Sequence, residues 1–181
     1  MGLVDAGYVV ATVDYRRIGQ RGGGWPGTFD DLAALTDAVP SLVASALPGR
    51  VDTTSTVLVG HSAGGHLALL AGARTGVPVV ALAAVSDPPT WENDAVAGFF
   101  GGTPPPPEAS PLAGLPLGVP QILVHGTADD VVPFEQSERY VRLAAGEAEL
   151  IPLEGAGHFE PIDPLSPEWT ATRDALHRLL A

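Results

Sequence analysis

The chain has 181 residues, 45% of them hydrophobic, which suits one globular domain with a sizeable core and argues against disorder. Twenty-one acidic residues stand against nine arginines and no lysine, and the net charge of −12 repels nucleic-acid backbones and anionic membrane surfaces. There is no cysteine, which excludes disulfides, thiolate metal ligands and a cysteine nucleophile.

Residues 1–17 show no basic leader before an apolar run and no small-residue cleavage pattern. The longest apolar run, residues 77–85, is too short to span a bilayer, so cytoplasmic residence is expected. Residues 8–14, Tyr-Val-Val-Ala-Thr-Val-Asp, are β-branched and nearly all apolar, the pattern of a parallel strand buried on both faces. A glycine-rich loop over residues 22–27 leads to Thr28, whose hydroxyl is expected to cap a helix carrying Asp30 and Asp31 in its first turn. Phe29, Leu32, Leu35, Val39, Leu42 and Val43 share one face of that helix, and Pro40 is expected to kink or split it.

Residues 55–59 read as a second strand, 64–74 as a helix and 77–85 as a third strand. Residues 87–116 are proline-rich and irregular, with an apolar patch at 96–100, and read as an insertion over the sheet edge near the active site. A fourth strand over 121–125, a helix over 134–145 and a fifth strand over 149–153 follow. Ser166-Pro167 opens a last helix with Trp169, Leu176, Leu179 and Leu180 facing inward. Strand and helix alternate, so the fold class is α/β, with a mostly parallel sheet of about five strands flanked by helices, in one domain.

The most informative segment is Val57-Leu58-Val59-Gly60-His61-Ser62-Ala63-Gly64-Gly65, an apolar strand that breaks into a glycine-flanked serine and then a helix. A serine on such a turn needs unusual backbone angles, and glycines two residues before and after it avoid side-chain collisions across the turn. The turn lifts the Ser62 hydroxyl above the sheet and aims the Ala63 N–H, with the helix N-terminus, at an oxyanion forming there. Serine is a poor nucleophile without a histidine base, itself oriented by a carboxylate. Two segments follow strands on the required side: His125-Gly126-Thr127-Ala128-Asp129-Asp130-Val131-Val132-Pro133 and Gly155-Ala156-Gly157-His158-Phe159.

With these three segments the chain resembles the α/β-hydrolase superfamily, in the esterase, acetylesterase and arylformamidase branch related to prolyl oligopeptidase. The resemblance implies Ser62 as nucleophile, Asp129 as acid and His158 as base, in an enzyme cleaving carboxylic esters or related acyl bonds through an acyl-enzyme. Amide or peptide hydrolysis is the alternative chemistry, and an inactive truncated remnant the alternative outside catalysis. The implied partner is a small-molecule acyl substrate, with no nucleic acid and no membrane; a homo-oligomer is compatible with the sequence. No metal or organic cofactor is implied, since no ligand cluster has metal-binding spacing.

Asp130, and more weakly Asp87, compete for the acid's place, while His61 and His66 flank the turn and read as packing or locally bonded, His125 ends a strand and His177 lies on the last helix, none of the four reading as the base. Trp91, Phe99 and Phe100 read as core packing before acyl-pocket lining. The branch carries a His-Gly-Gly-Gly-Trp type loop before the strand matched by residues 8–14, and the chain starts after that point. It is therefore expected to be an N-terminally truncated α/β-hydrolase fold lacking its first strands. Gly22-Gly23-Gly24-Trp25 looks similar but follows that strand, and reads as the loop entering the next helix. Residues 8–14 and 55–59 are then expected to pair directly, leaving one sheet face under the C-terminal helix alone and apolar strand residues toward water.

Overall fold

The computed structural model describes residues 2–181. In chain order it forms α1 (Gly27–Ala46), β1 (Leu58–His61), α2 (Ala63–Thr75), β2 (Val79–Leu82), α3 (Asp94–Phe99), β3 (Gln121–Gly126), α4 (Glu135–Leu143), β4 (Ala148–Leu153) and α5 (Trp169–Leu180). All four strands are parallel, in the order β1-β2-β3-β4, with Leu58 beside Val79, Val79 beside Gln121 and Gln121 beside Ala148. This register brings the carboxyl ends of all four strands to one rim. It is the rim where open α/β sheets place their sites.

Alternation along the strands divides the core into two layers. Val79, Ala81 and Leu123 pack with Ala68 and Leu69 of α2 and with Tyr140 and Ala144 of the α4 region. Val80, Leu82, Ile122, Val124 and Leu153 pack on Ala175 and Leu176 of α5. One face is thus covered by α2 and α4 and the other by α5, as expected. Every residue of β2 and β3 is buried, and the Gln121 amide inside is satisfied, with Tyr140 Oη donating to Gln121 Oε1 at 2.7 Å.

The expected first strand does not form. Residues 8–14 carry no regular secondary structure and join no ladder, and Val9, Val10 and Val13 are exposed. They do not close up against β1, so the sheet has four strands and β1 is an edge, with Val59 also exposed. Apolar β-branched composition permits a strand, but a strand exists only where a neighbour takes its N–H and C=O groups.

Two expectations about α1 are also corrected. Thr28 does not cap it: the residue lies in the first turn, its hydroxyl donating to the Arg16 carbonyl at 2.5 Å and accepting from Gly24 N–H at 3.0 Å. Pro40 does not split the helix, which runs unbroken to Ala46. Pro40 is exposed, so the Thr36 carbonyl that loses its bond lies on the side open to water. Only the first half of α1 is anchored, through Leu32 and Phe29 against Leu67 and Ala71 of α2, while Leu42 of its apolar face is exposed.

Residues 87–116 contain α3 and two 3-10 turns, Pro88–Thr90 and Pro107–Ala109. They are pinned to the helices beneath. Gln136 Oε1 accepts from Ser86 and Asp87 N–H at 3.1 and 2.8 Å, and Arg139 donates to Asp87 Oδ2 at 2.6 Å. His66 Nε2 bonds the Ala109 carbonyl at 2.6 Å. The patch at 96–100 packs as an aromatic cluster: Trp25 stacks on Phe29 at 5.7 Å and meets Phe100 at 6.0 Å, with Phe99 edge-on to Phe100 and to His66.

Candidate active site

β1 ends in a backbone turn that few residues adopt. Ser62 has φ 56° and ψ −120°, a strained conformation costing about 1–3 kcal/mol, and its N–H is held by the Leu82 carbonyl at 2.8 Å. A Cβ at Gly60 would lie 2.0 Å from the Gly64 carbonyl oxygen, so glycine is required there. The second close approach is at Gly65, whose added Cβ would meet Ala84 Cβ at 2.6 Å. At Gly64 the nearest atom would be Tyr15 Oη, at 3.9 Å. Collisions are thus avoided one residue later than the motif suggests, because the helix packs on the chain beyond β2. Ala63 opens α2, and its N–H has no intrahelical acceptor, as at any helix start.

The loops after β3 and β4 are stitched together at the same rim. Gly126 makes this possible, since a Cβ on it would stand 2.3 Å from the Ala156 carbonyl oxygen. Thr127 N–H donates to Leu153 and Ala128 N–H to Ala156, at 3.0 and 2.9 Å. Asp129 and His158 meet across this seam, with Asp129 Oδ2 2.7 Å from His158 Nδ1 and both side chains buried. The carboxylate fixes the proton on Nδ1, so Nε2 of neutral His158 carries the lone pair.

Asp129 is held from all sides. Its Oδ1 accepts from Val131 and Val132 N–H, each at 2.8 Å, and His125 Nε2 reaches Oδ2 at 3.1 Å. Burial pushes the carboxyl up, but the hydrogen bonds from His158, Val132 and Val131 outweigh it and hold Asp129 below the ordinary carboxylate range. His125, fully buried, faces two acceptors with Nε2, Asp129 and the Val132 carbonyl, so this nitrogen carries the proton and Nδ1 accepts from Ser137 Oγ at 2.7 Å. Burial keeps the ring below the usual imidazole value and therefore neutral. The place of His125 at a strand end is plain from the sequence, but its contact with Asp129 is not. The signal available was its spacing, four residues before Asp129 across the turn out of β3.

Of the competing acids, Asp130 is exposed and is not a partner of His158, while Asp87 is occupied by Arg139, Thr90 and Ser110. His66 is bonded to Ala109, and His177 lies near Tyr8 Oη at 3.5 Å. Ser62 is partly exposed at the rim, and no hydrogen bond joins its hydroxyl to His158 among the described residues. The elbow and the His158 loop meet instead through His61, which bonds the His158 carbonyl at 2.8 Å. Gly23, Gly24 and Trp25 donate their N–H groups to Gln20, Thr28 and Phe99, as befits a loop entering a helix. A cleft of about 490 Å³ beside the Asp129 loop is lined by Trp91, Thr127, Asp130, Phe134 and Glu135. Among the described residues, no group of three or more acids and histidines is placed to hold a metal ion, and no helix is long and apolar enough to cross a membrane.

The BD-FAE family model matches residues 1–103. A truncated form of a carbohydrate esterase from gut microbiota superposes with a TM-score of 0.73 at 22% identity, over 86% of this chain and 69% of its own. A thermophilic esterase from the Planctomycetes species Thermogutta terrifontis gives 0.68 at 22% identity, over 92% and 68%. Puromycin hydrolase gives 0.64 at 26% identity over 88% of this chain, which spans only 25% of that longer protein. No curated protein matches the chain. The family match covers more than half of the sequence, and the parallel sheet with its helices superposes on esterases and a hydrolase throughout: the chain belongs to the BD-FAE family and carries a partial α/β-hydrolase fold.

Proposed function

We propose that the protein is a serine hydrolase of carboxylic esters or related acyl compounds, acting on a small-molecule substrate within a single α/β-hydrolase domain. The observation that carries this reading is the buried 2.7 Å bond between Asp129 and His158, set at the same sheet rim as the strained Ser62 turn. Its support from relatives is the family match and the esterase neighbours.

Ser62 Oγ attacks the acyl carbon while its proton passes to His158 Nε2, and Asp129 steadies the imidazolium so formed. The tetrahedral oxyanion is met by the Ala63 N–H and the positive end of α2. Collapse expels the alcohol, which takes the proton from His158, and leaves Ser62 acylated; water then repeats the sequence and releases the acid. The Ser62–His158 hydrogen bond forms when the acyl group is bound, as such bonds tighten in the substrate complex.

Puromycin hydrolase among the neighbours keeps amide hydrolysis as the second reading, and rates on p-nitrophenyl acetate against aminoacyl anilides separate the two. The decisive test is a fluorophosphonate adduct on Ser62, found by mass spectrometry in the folded protein. Ser62→Ala removes the adduct, and Asp129→Asn lowers kcat by about 10⁴-fold through loss of the His158 tautomer. A folded protein with no adduct on Ser62 overturns the proposal in favour of an inactive remnant.

A further inference from the structure

We infer that His61 is a positioning residue for His158, a neutral hydrogen-bonded strut that ties the backbone of the base to the strand carrying the nucleophile. This rests on the triad reading above.

The contacts of His158 show why such a strut matters. Its ring is oriented by Asp129 through Nδ1, which sets rotation but leaves the main chain free to move. The only main-chain hydrogen bond His158 makes among the described residues is the one its carbonyl accepts from His61 Nε2, at 2.8 Å. Neighbouring bonds do not substitute for it. Gly157 N–H goes to Glu160 Oε2 and the Phe159 carbonyl accepts from Ile162 N–H, so both stay inside their own loop. The next side chain, Phe159, is 62% exposed. His61 sits at the end of β1 and directly precedes Ser62 in the chain. A bond from its side chain to the base therefore fixes the two reacting residues relative to each other, and a misplacement of about 1 Å costs about 10²-fold in rate.

The chemistry of the contact also fits a strut and not a second base. The acceptor is a carbonyl, so His61 Nε2 must carry the proton and is not free to take another. The rings of His61 and His158 lie 4.4 Å apart between centroids, tilted by 48°, and the Phe159 ring lies 5.7 Å from His61, tilted by 46°. A charged His61 at that distance would oppose the imidazolium that forms on His158. Burial holds the His61 ring below the usual imidazole value and keeps it neutral.

Packing alone and positioning make opposite predictions for two substitutions. His61→Phe keeps the ring and its stacking but loses the donor. His61→Gln loses the ring but places an amide N–H at the same bond count from Cβ as Nε2. For a strut, His61→Phe lowers kcat on p-nitrophenyl acetate, and the rate of fluorophosphonate labelling at Ser62, by about 10- to 100-fold with KM within about twofold, while His61→Gln returns to within about threefold of the native rate. A native-like His61→Phe, or a His61→Gln no better than His61→Phe, overturns the inference. Circular dichroism and thermal midpoints establish that the variants are folded. Should they not fold, ¹⁵N-histidine NMR of the unsubstituted protein decides: a slowly exchanging Nε2–H tautomer of His61 supports the strut, and an Nδ1–H tautomer overturns it. Ser62→Ala in the same assay distinguishes the failures. Native protein that labels at Ser62 but shows the wrong order of His61 variants loses this inference alone, whereas native protein with no label at Ser62 loses the triad reading and the strut with it.

Discussion

Residues 8–14 and β3 are both rich in apolar and β-branched side chains, yet one is open to water and the other is buried at every position. Val9, Val10 and Val13 are 49%, 42% and 36% exposed, whereas Leu123 and Val124 are fully buried. The difference is neighbours: β3 has β2 and β4 at its sides and helices on both faces, and residues 8–14 have no strand beside them. Strand propensity describes fitness for a pleated, half-buried surface and does not create that surface. The site draws on both kinds of strand, since its acid follows β3, which is paired on both sides, and its base follows the edge strand β4.

The sharpest way to break this contrast is Gly126→Ala. Its Cβ would press on the Ala156 and Gly157 carbonyl oxygens at 2.3 and 2.4 Å, in the seam that joins Asp129 to His158. We expect a loss of about 3 kcal/mol or more in urea unfolding. A native-like midpoint would mean the seam is not packed as described.

Acid should act on the packed region next. Burial holds His66 and His125 below the usual imidazole value, His66 at about 4, so His66 stays neutral in the folded protein near pH 5. The unfolded chain protonates both near pH 6.5 and so binds more protons between these values. Stability therefore falls as pH drops from about 6.5 towards 4, by about 1.4 kcal/mol per pH unit for His66, and His125 adds a loss in the same direction below pH 6.5. Asp129, held low, contributes fully above its unfolded value near pH 4, and that contribution is lost as pH falls through its folded value. Urea midpoints measured from pH 7 to 4.5 should decline steadily; a flat profile would put these histidines in contact with water.

The smallest effect tests the two segments side chain by side chain. Val124→Ala leaves a cavity in the layer under α5 and should cost about 2 kcal/mol. Val10→Ala, made on an exposed segment, should change stability by less than about 0.5 kcal/mol. Equal losses at the two positions would show that residues 8–14 are packed as a strand after all.

Much of the architecture is legible without coordinates. β3, β4, α2 and α4 lie within a few residues of their expected places, because periodicity, glycine punctuation and length agree there. The Ser62 turn is equally legible, as Gly60 answers to the Gly64 backbone only four residues away. The relation of Asp129 to His125 is local too, but its spacing is read only once the loop out of β3 is seen to turn back on itself.

The sequence by itself determined the α/β class, the strained serine and the two loops that bring Asp129 and His158 to one rim, since each depends on short-range pattern and chain order. Only the tertiary structure decided that residues 8–14 are not a strand, that Pro40 is tolerated, that Gly65 and not Gly64 is the crowded position, and that His61 meets the His158 carbonyl. The reason is common to all four: each depends on which atoms from distant parts of the chain are present or absent alongside, and no local pattern encodes a neighbour.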